Sequence, residues 1–188
     1  MRNIELKNIC VSFGEKQVLK DFSHTFASGS VTCVMGPSGC GKTTLLNVLI
    51  GTVAHQSGSV TGMPKKVACV FQEDRLCEDF SALSNAKIAS SFSKEEVVHC
   101  LERLGITEID TKVSRFSGGM KRRVAIARAI CADCDVILLD EAFKGLDVAS
   151  KENAIGVLLE YSKNKTIIAV THDTEEAHLL SAEILDLS

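Results

Sequence analysis

The sequence has little that is typical of a membrane-spanning or nucleic-acid-binding chain. None of its apolar runs reaches the length of a transmembrane helix, and no secretory signal peptide is predicted at its start. Its 21 basic and 24 acidic residues are interspersed and leave a formal charge of −3, so neither a basic stripe for nucleic acid nor a disordered acidic tail is indicated. We therefore expect a chain that is soluble on its own and binds any anion through local geometry.

Disulfide and zinc patterns are also nearly absent, although the chain has 8 cysteines. Four of them stand singly in apolar runs, as is typical of small core residues: Cys10, Cys33, Cys69 and Cys100. Cys131 and Cys134 form the one C-x-x-C pair. Because no second pair and no histidine at ligand spacing accompanies it, we expect a structural role for this pair.

Residues 31–51 carry the most specific pattern. A β-branched apolar run ends at Gly36, a glycine-rich segment follows, and the apolar spacing then becomes that of a buried helix that Gly51 ends. Residues 36–43 fit the P-loop pattern G-x-x-x-x-G-K-T in the strand, loop, helix context that confirms it. The bare pattern arises by chance in fewer than about one chain in a hundred of this length.

Each residue type in this loop suits a bound triphosphate. The glycines permit a tight turn and close backbone approach, and the amides of residues 39–44 are expected to cradle the β-phosphate. Lys42 is expected to reach the β- and γ-phosphates, and the Thr43 hydroxyl to hold Mg²⁺. The Cys40 thiol lies beside the helix N-terminus, where a thiol is expected to be unusually reactive. Its presence there indicates a protein of the reducing cytosol rather than a secreted one. The predicted nucleotide-binding residues of this segment are Gly36, Pro37, Ser38, Gly39, Cys40, Gly41, Lys42, Thr43 and Thr44.

Polar side chains that follow predicted strands supply further candidates. Gln72 follows the buried strand 66–71, at the edge where α/β sheets place ligand-contacting groups, so its amide is a candidate Mg²⁺ ligand and γ-phosphate sensor. Strand 135–139 ends at Asp140 and Glu141, and its apolar character predicts a central parallel strand beside the P-loop strand. We expect Asp140 near Mg²⁺ and Glu141 near the γ-phosphate, where an attacking water needs a base. Two carboxylates beside a triphosphate make Mg²⁺ close to obligatory.

Two aromatic side chains are also candidates. His172 follows the buried strand 166–170, and we expect it to donate a hydrogen bond to the γ-phosphate. Phe13, at the end of the first predicted strand, is a candidate platform for an adenine ring, although its position alone favours a core aromatic.

Residues 115–130 predict a long helix that starts at a serine and two glycines. Ser117 is the expected cap. The basic residues 121–123 in the first turn oppose the helix dipole by a few tenths of a kcal/mol or more each, unless an anion docks there. Ser117, Gly118 and Gly119 are therefore a candidate second phosphate site, and a solvated basic turn is the alternative.

The remaining pattern predicts one α/β domain with a helical insertion. Residues 1–72 and 132–188 are expected to form the core and a β subdomain, and residues 73–131 a helical subdomain. Within the insertion, the spacing predicts helices over 81–92 and 93–104.

Taken in order, these elements resemble the ATP-binding cassette (ABC) ATPases over essentially the whole chain. The double-glycine signature separates that family from other P-loop proteins. The matching segments are residues 36–43 (Walker A), Gln72 (Q-loop), residues 116–120 (signature), residues 136–141 (Walker B) and Thr171-His172 (H-loop). Phe13 falls where the family places its adenine-stacking aromatic, and Asp147 falls in the D-loop.

The resemblance implies a P-loop NTPase fold with a central, mostly parallel sheet, an antiparallel β subdomain and a small helical subdomain. It implies hydrolysis of ATP with Mg²⁺, with Glu141, His172 and Gln72 as catalytic residues and Thr43, Gln72 and Asp140 around the metal. It also implies a head-to-tail dimer, either a homodimer or a heterodimer with a related chain. Each ATP is then held between Walker A of one copy and Ser117, Gly118 and Gly119 of the other, and Asp147 is also implied as a nucleotide-binding residue.

The partners implied are transmembrane permease subunits and, for an importer, a solute-binding protein, with the chain peripheral on the cytoplasmic face of the cell membrane. The signature ends in Met120 and is followed by a basic run, and this pattern is similar to that of the nitrate, sulfonate and taurine importer branch. Ala142 replaces the usual proline after Walker B, and the helical insertion is shorter than usual.

Two alternatives remain open at this point. An ABC ATPase that drives mechanotransduction, lipoprotein release or export in the membrane fits the same motifs. A P-loop GTPase or nucleotide kinase fits less well, because residues 164–167 lack the carboxylate that guanine recognition needs.

Overall fold

The computed structural model describes residues 2–188, and within that range it has two β-sheets and six α-helices. The strands are β1 (Ile4–Phe13), β2 (Lys16–Phe26), β3 (Val31–Met35), β4 (Ser57–Thr61), β5 (Val67–Val70), β6 (Val136–Asp140), β7 (Thr166–Val170) and β8 (Glu183–Asp186). The helices are α1 (Lys42–Ile50), α2 (Ala82–Lys87), α3 (Lys94–Arg103), α4 (Gly118–Cys131), α5 (Val148–Tyr161) and α6 (Thr174–Leu179). A 3-10 turn at Val113–Arg115 precedes α4.

The larger sheet is parallel and has the strand order β5-β6-β7-β3-β8, and the smaller, antiparallel sheet has the order β2-β1-β4. The predicted combination of a parallel central sheet, an antiparallel β subdomain and a helical part is confirmed. The prediction that β6 lies directly beside the P-loop strand β3 is wrong. β7 separates them, since Leu139 pairs with Ala169 and Val34 with Val170.

Side chains of the parallel strands alternate between two buried faces of the sheet. Leu138 and Ile168 pack on one face with α1 and the antiparallel sheet. Leu139 and Ala169 pack on the other face with residues of α2 to α6. Because both faces are covered, the central strands are apolar throughout, and polar side chains gather where the strands end. The carboxyl ends of β3, β6 and β7 therefore meet at one edge of the sheet.

The helical part differs from the sequence prediction in one helix. Ser93 forms a capping box with Glu96 at the start of α3, as its position indicates. The helix predicted over 81–92 instead ends at Lys87, and Ala89 adopts a positive φ of 59°. The chain leaves the helix there because Ser90 forms a bridge with Ala132.

The cysteines are all free thiols. Cys131 and Cys134 are buried, in agreement with a structural role, whereas Cys10 and Cys69 are only partly buried. In residues 2–188, no three His, Cys, Asp or Glu side chains are arranged to hold a metal ion. No helix in the described range combines the length and the apolar composition needed to cross a bilayer.

Candidate active site

The P-loop connects β3 to α1 through backbone conformations that favour glycine. Gly36, Gly39 and Gly41 have φ angles of 142°, 82° and 109°. A Cβ at Gly41 would lie 2.9 Å from Val18 Cγ1 and 3.2 Å from the Val18 carbonyl oxygen, so the loop packs directly on β2. Gly41 is also the N-cap of α1, which has no side-chain cap, unlike α3, α4 and α5. The start of α1 therefore suits an anion.

Lys42 turns back into this loop. Its Nζ donates to the carbonyl oxygens of Gly36 at 2.7 Å and Pro37 at 2.8 Å, and lies 3.8 Å from Cys40 Sγ. The ammonium is thus held over the residues that the sequence assigns to the phosphates. This position agrees with a phosphate-binding role for Lys42.

An open cavity of about 500 Å³ lies over the P-loop. It brings together most of the predicted site residues from separate elements: Phe13, Gly36, Ser38, Gly39, Gly41, Lys42, Thr43, Thr44, Gln72, Glu141 and His172. Phe13 has 55% of its surface exposed, so it is not a core aromatic, and it stands where a base can stack. Pro37 and Cys40 belong to the loop but do not line the cavity.

Four lining residues were not predicted: Lys16, Val18, Lys144 and Val170. Lys16 follows Phe13 by three positions, and Lys144 follows Glu141 by three. Closeness in sequence to a predicted site residue is therefore the signal by which these two lysines could have been predicted. Asp147 and residues 117–119 do not line the cavity.

Thr43, Gln72 and Asp140 line a smaller adjoining cavity of about 180 Å³. Thr43 Oγ1 donates to Asp140 Oδ1 at 3.3 Å. Burial raises the pKa of Asp140, the Thr43 hydroxyl opposes that rise, and the Glu141 charge adds to it. A hydroxyl, an amide and a carboxylate are oxygen donors of the kind that Mg²⁺ prefers, so the residues present fit this ion.

The Glu141 carboxylate lies between two partners. Lys144 Nζ is 2.7 Å from Oε2, and His172 Nδ1 is 3.4 Å from Oε1. The hydrogen bond from Lys144 holds the pKa of Glu141 below its ordinary value, and His172 acts in the same direction. Glu141 itself has a φ of 48°, an uncommon backbone conformation that turns the chain out of β6.

A charged network supports the loop that carries His172. Lys151 of α5 pairs with Asp173 at 2.6 Å and with Glu176 at 3.6 Å, and Thr171 donates to Glu176 at 2.6 Å. Glu176 and Thr171 are buried. α5 is therefore joined to Thr171, the residue before His172, through Glu176.

The signature residues lie at the start of α4, away from the cavity. Ser117 accepts a hydrogen bond from the Met120 amide at 3.3 Å and so caps the helix as predicted. A Cβ at Gly118 would meet nothing within 4 Å. The helix start is thus open to an incoming group.

The electrostatic reason given for a phosphate at this helix start does not hold. Lys121 pairs with Glu78 at 2.8 Å, and Arg123 donates to the carbonyl oxygen of Leu104 at 2.9 Å. Arg122 is buried and donates to the carbonyl oxygen of Phe71 at 2.7 Å. All three basic side chains are engaged within the chain, so they do not call for an anion. The second phosphate site stays a prediction that rests on Ser117 and the two glycines.

Comparison with known proteins agrees with this geometry. A family model described as ABC transporter matches residues 19–144. The taurine import ATP-binding protein TauB of Roseobacter denitrificans is 36% identical over 207 aligned positions, which cover 98% of this chain and 77% of that protein. The phosphonates import ATP-binding protein PhnC of Fusobacterium nucleatum is 32% identical over 98% of this chain and 88% of its own length.

A solved bacterial Atm1-family ABC exporter shares the fold. It superposes with a TM-score of 0.87 at 22% identity, over 100% of this chain and 37% of the exporter chain. The family model covers most of this chain, and the two import proteins align with nearly all of it. The chain therefore belongs to the ABC transporter family, as one of its ATP-binding, ATP-hydrolysing proteins.

Proposed function

We propose that this ABC ATPase powers the import of a small solute through separate membrane-spanning permease subunits, which it contacts at the cytoplasmic face of the membrane. Two similar proteins are named for taurine import and phosphonates import, and that supports the direction of transport. The cavity over the P-loop supports the ATP-hydrolysing part of the proposal, since Lys42, Glu141 and His172 converge on it from three separate elements.

In the proposed reaction, water attacks the γ-phosphate in line, and the protein contributes positioning and charge neutralisation. Glu141 orients the water and accepts its proton. His172 donates a hydrogen bond to the transferring group, and Lys42 binds the phosphates. Gln72 contacts the γ-phosphate from the segment after β5, while Phe13 stacks on adenine.

We assign the Mg²⁺ that accompanies ATP to Thr43, Gln72 and Asp140. Their proximity in the adjoining cavity supports this assignment. The ion supplies charge neutralisation of the phosphate oxygens when it is bound. The chain contributes the orientation of its donors, through the N-terminal turn of α1 and the end of β6.

We further propose that two copies, or this chain and a related one, assemble head to tail. Ser117, Gly118, Gly119 and Asp147 of one copy then complete the nucleotide site of the other. Their location outside the cavity supports this proposal, because one chain alone does not bring them to the P-loop. Residues 73–131 serve in this scheme as the helical subdomain that carries the signature.

The substitution Glu141→Gln tests the catalytic assignment. It removes the proton acceptor and keeps the size of the side chain, so turnover of ATP should fall by at least about a hundredfold while ATP still binds. With Mg²⁺ and ATP, the variant should accumulate as a dimer in size-exclusion chromatography.

Glu183→Gln is the matched control, because Glu183 is exposed and lies at the amino end of β8, whereas the P-loop follows the carboxyl end of the neighbouring strand β3. It should hydrolyse ATP like the unmodified chain. Normal turnover by the Glu141 variant would remove that residue from the reaction.

The membrane partner is tested by purifying the chain from detergent-solubilised membranes. We expect permease subunits to be recovered with it, and recovery of a non-transport membrane protein would contradict the assignment as an importer.

A further inference from the structure

Lys144 lies in the nucleotide cavity, on the turn that follows β6. The turn is fixed by a hydrogen bond from the Lys144 amide to the Glu141 carbonyl oxygen at 3.2 Å, and by the buried side chains of Ala142 and Phe143. Lys144 Nζ lies 2.7 Å from Glu141 Oε2, and the lysine side chain is 54% exposed. The backbone is therefore anchored, while the ammonium stays accessible from the cavity.

Among the described residues that line the cavity, the three lysines Lys16, Lys42 and Lys144 differ in their contacts. Lys42 donates to loop carbonyl oxygens, and Lys16 lies on the strand that follows Phe13. Lys144 is the lysine that contacts Glu141. A carboxylate aimed at a γ-phosphate repels it, and the repulsion grows as water is excluded. A cation beside that carboxylate offsets the repulsion.

We propose that Lys144 is a positioning and charge-compensating residue that lets the cavity accept a γ-phosphate beside Glu141, and so favours ATP over ADP. The proposal rests on the placement of Glu141 beside the γ-phosphate in the proposed function. Because Lys144 acts through the charge of Glu141, its contribution depends on that carboxylate. ADP has no γ-phosphate, so Lys144 matters little for it.

Equilibrium titration with ADP and with a non-hydrolysable ATP analogue tests this directly, without turnover. Lys144→Gln should weaken binding of the analogue by roughly threefold to fivefold, as expected for a half-exposed ion pair, and binding of ADP by less than about twofold. Lys144→Arg keeps the charge and should restore the preference. Lys16→Gln removes a lysine from the same cavity and should not change the ratio of the two affinities.

A double-mutant cycle with Glu141→Gln identifies the route of the effect. In that background the repulsion is gone, so adding Lys144→Gln should change binding of the analogue by less than about twofold. A full effect in that background, or an equal weakening of the analogue and ADP in the single variant, would overturn the proposal. The turnover of Glu141→Gln is read separately, so a failure of the proposed catalytic role is distinguishable from a failure of the role of Lys144.

Discussion

Two glycines of the P-loop, Gly39 and Gly41, differ in what a side chain at their position would cost. Gly39 and Gly41 both have a positive φ, which costs an L-residue about 1–2 kcal/mol. A Cβ at Gly39 would meet nothing within 4 Å, whereas one at Gly41 would press on Val18. Overpacking adds about 1–3 kcal/mol. The same residue type is therefore required at Gly41 by conformation and by packing together.

Gly41→Ala should lower the free energy of unfolding by about 2–5 kcal/mol, and Gly39→Ala by about 1–2 kcal/mol. Urea unfolding of the two variants measures both values. Gly39→Ala serves as the control for backbone strain without a packing clash. Equal losses would show that the contact between the loop and β2 relaxes at no cost.

Residue-level reasoning from the sequence predicted the P-loop, Gln72, Asp140, Glu141 and His172 as site residues, because each follows a buried strand whose apolar run is evident. It missed Lys16 and Lys144. A lone lysine has no periodic or motif signal, and whether it lines the cavity depends on how the chain folds around it. Contacts made by long, exposed side chains are thus the part of the site that the sequence does not encode locally.

At the scale of elements, α4 is joined to the segment after β5 by a buried arginine. Arg122 donates to the carbonyl oxygens of Phe71 and Gln72 and lies 3.2 Å from Asp74 Oδ1. The helix that starts at the signature therefore holds the backbone of the predicted γ-phosphate sensor. A movement of α4 should therefore displace the segment after β5, and a movement of that segment should displace α4.

Arg122→Ala should lower the free energy of unfolding by about 2–4 kcal/mol, because it leaves two carbonyl groups without their donor and a partly buried carboxylate without its cation. Lys121→Ala, one residue earlier on α4, breaks an ion pair whose Glu78 side chain is 65% exposed. That control should lose less than about 1 kcal/mol. Urea unfolding measures both, and a small loss for Arg122→Ala would mean that the segment after β5 does not depend on this contact.

The element boundaries could be predicted where local chemistry sets them. Ser93 and Ser117 cap α3 and α4, and both helix starts follow from the serine and the spacing behind it. The end of α2 could not be predicted, because the bridge between Ser90 and Ala132 joins residues far apart in the sequence. When a tertiary contact ends a helix early, the sequence pattern predicts a longer helix than the one that forms.

At the scale of the whole molecule, the order of the strands was the part of the fold that the sequence left undetermined. β6 and β7 are buried along their whole length, and β3 along most of it, so their apolar patterns are alike. Nothing in such a pattern says which of them lies at the centre. Thr43 and Asp140 still meet, although β7 separates β3 from β6, because α1 contacts β6.

The proposed assembly makes a prediction that only a pair of chains can satisfy. In the Glu141→Gln background, Gly118→Asp should abolish the dimer formed with Mg²⁺ and ATP, because it sets a carboxylate against the incoming γ-phosphate. The fold should be unaffected. The added side chain enters open space, and an acidic residue in the first turn of α4 is favourable to the helix dipole.

Gly156→Asp adds the same charge at an open position on α5 and should leave the dimer intact. Light scattering at matched protein concentration measures the mass of each variant with and without nucleotide. If the Gly118 variant still dimerises with ATP, the start of α4 does not contact the partner's nucleotide. The signature would then act within its own chain, through the contact between Arg122 and the segment after β5.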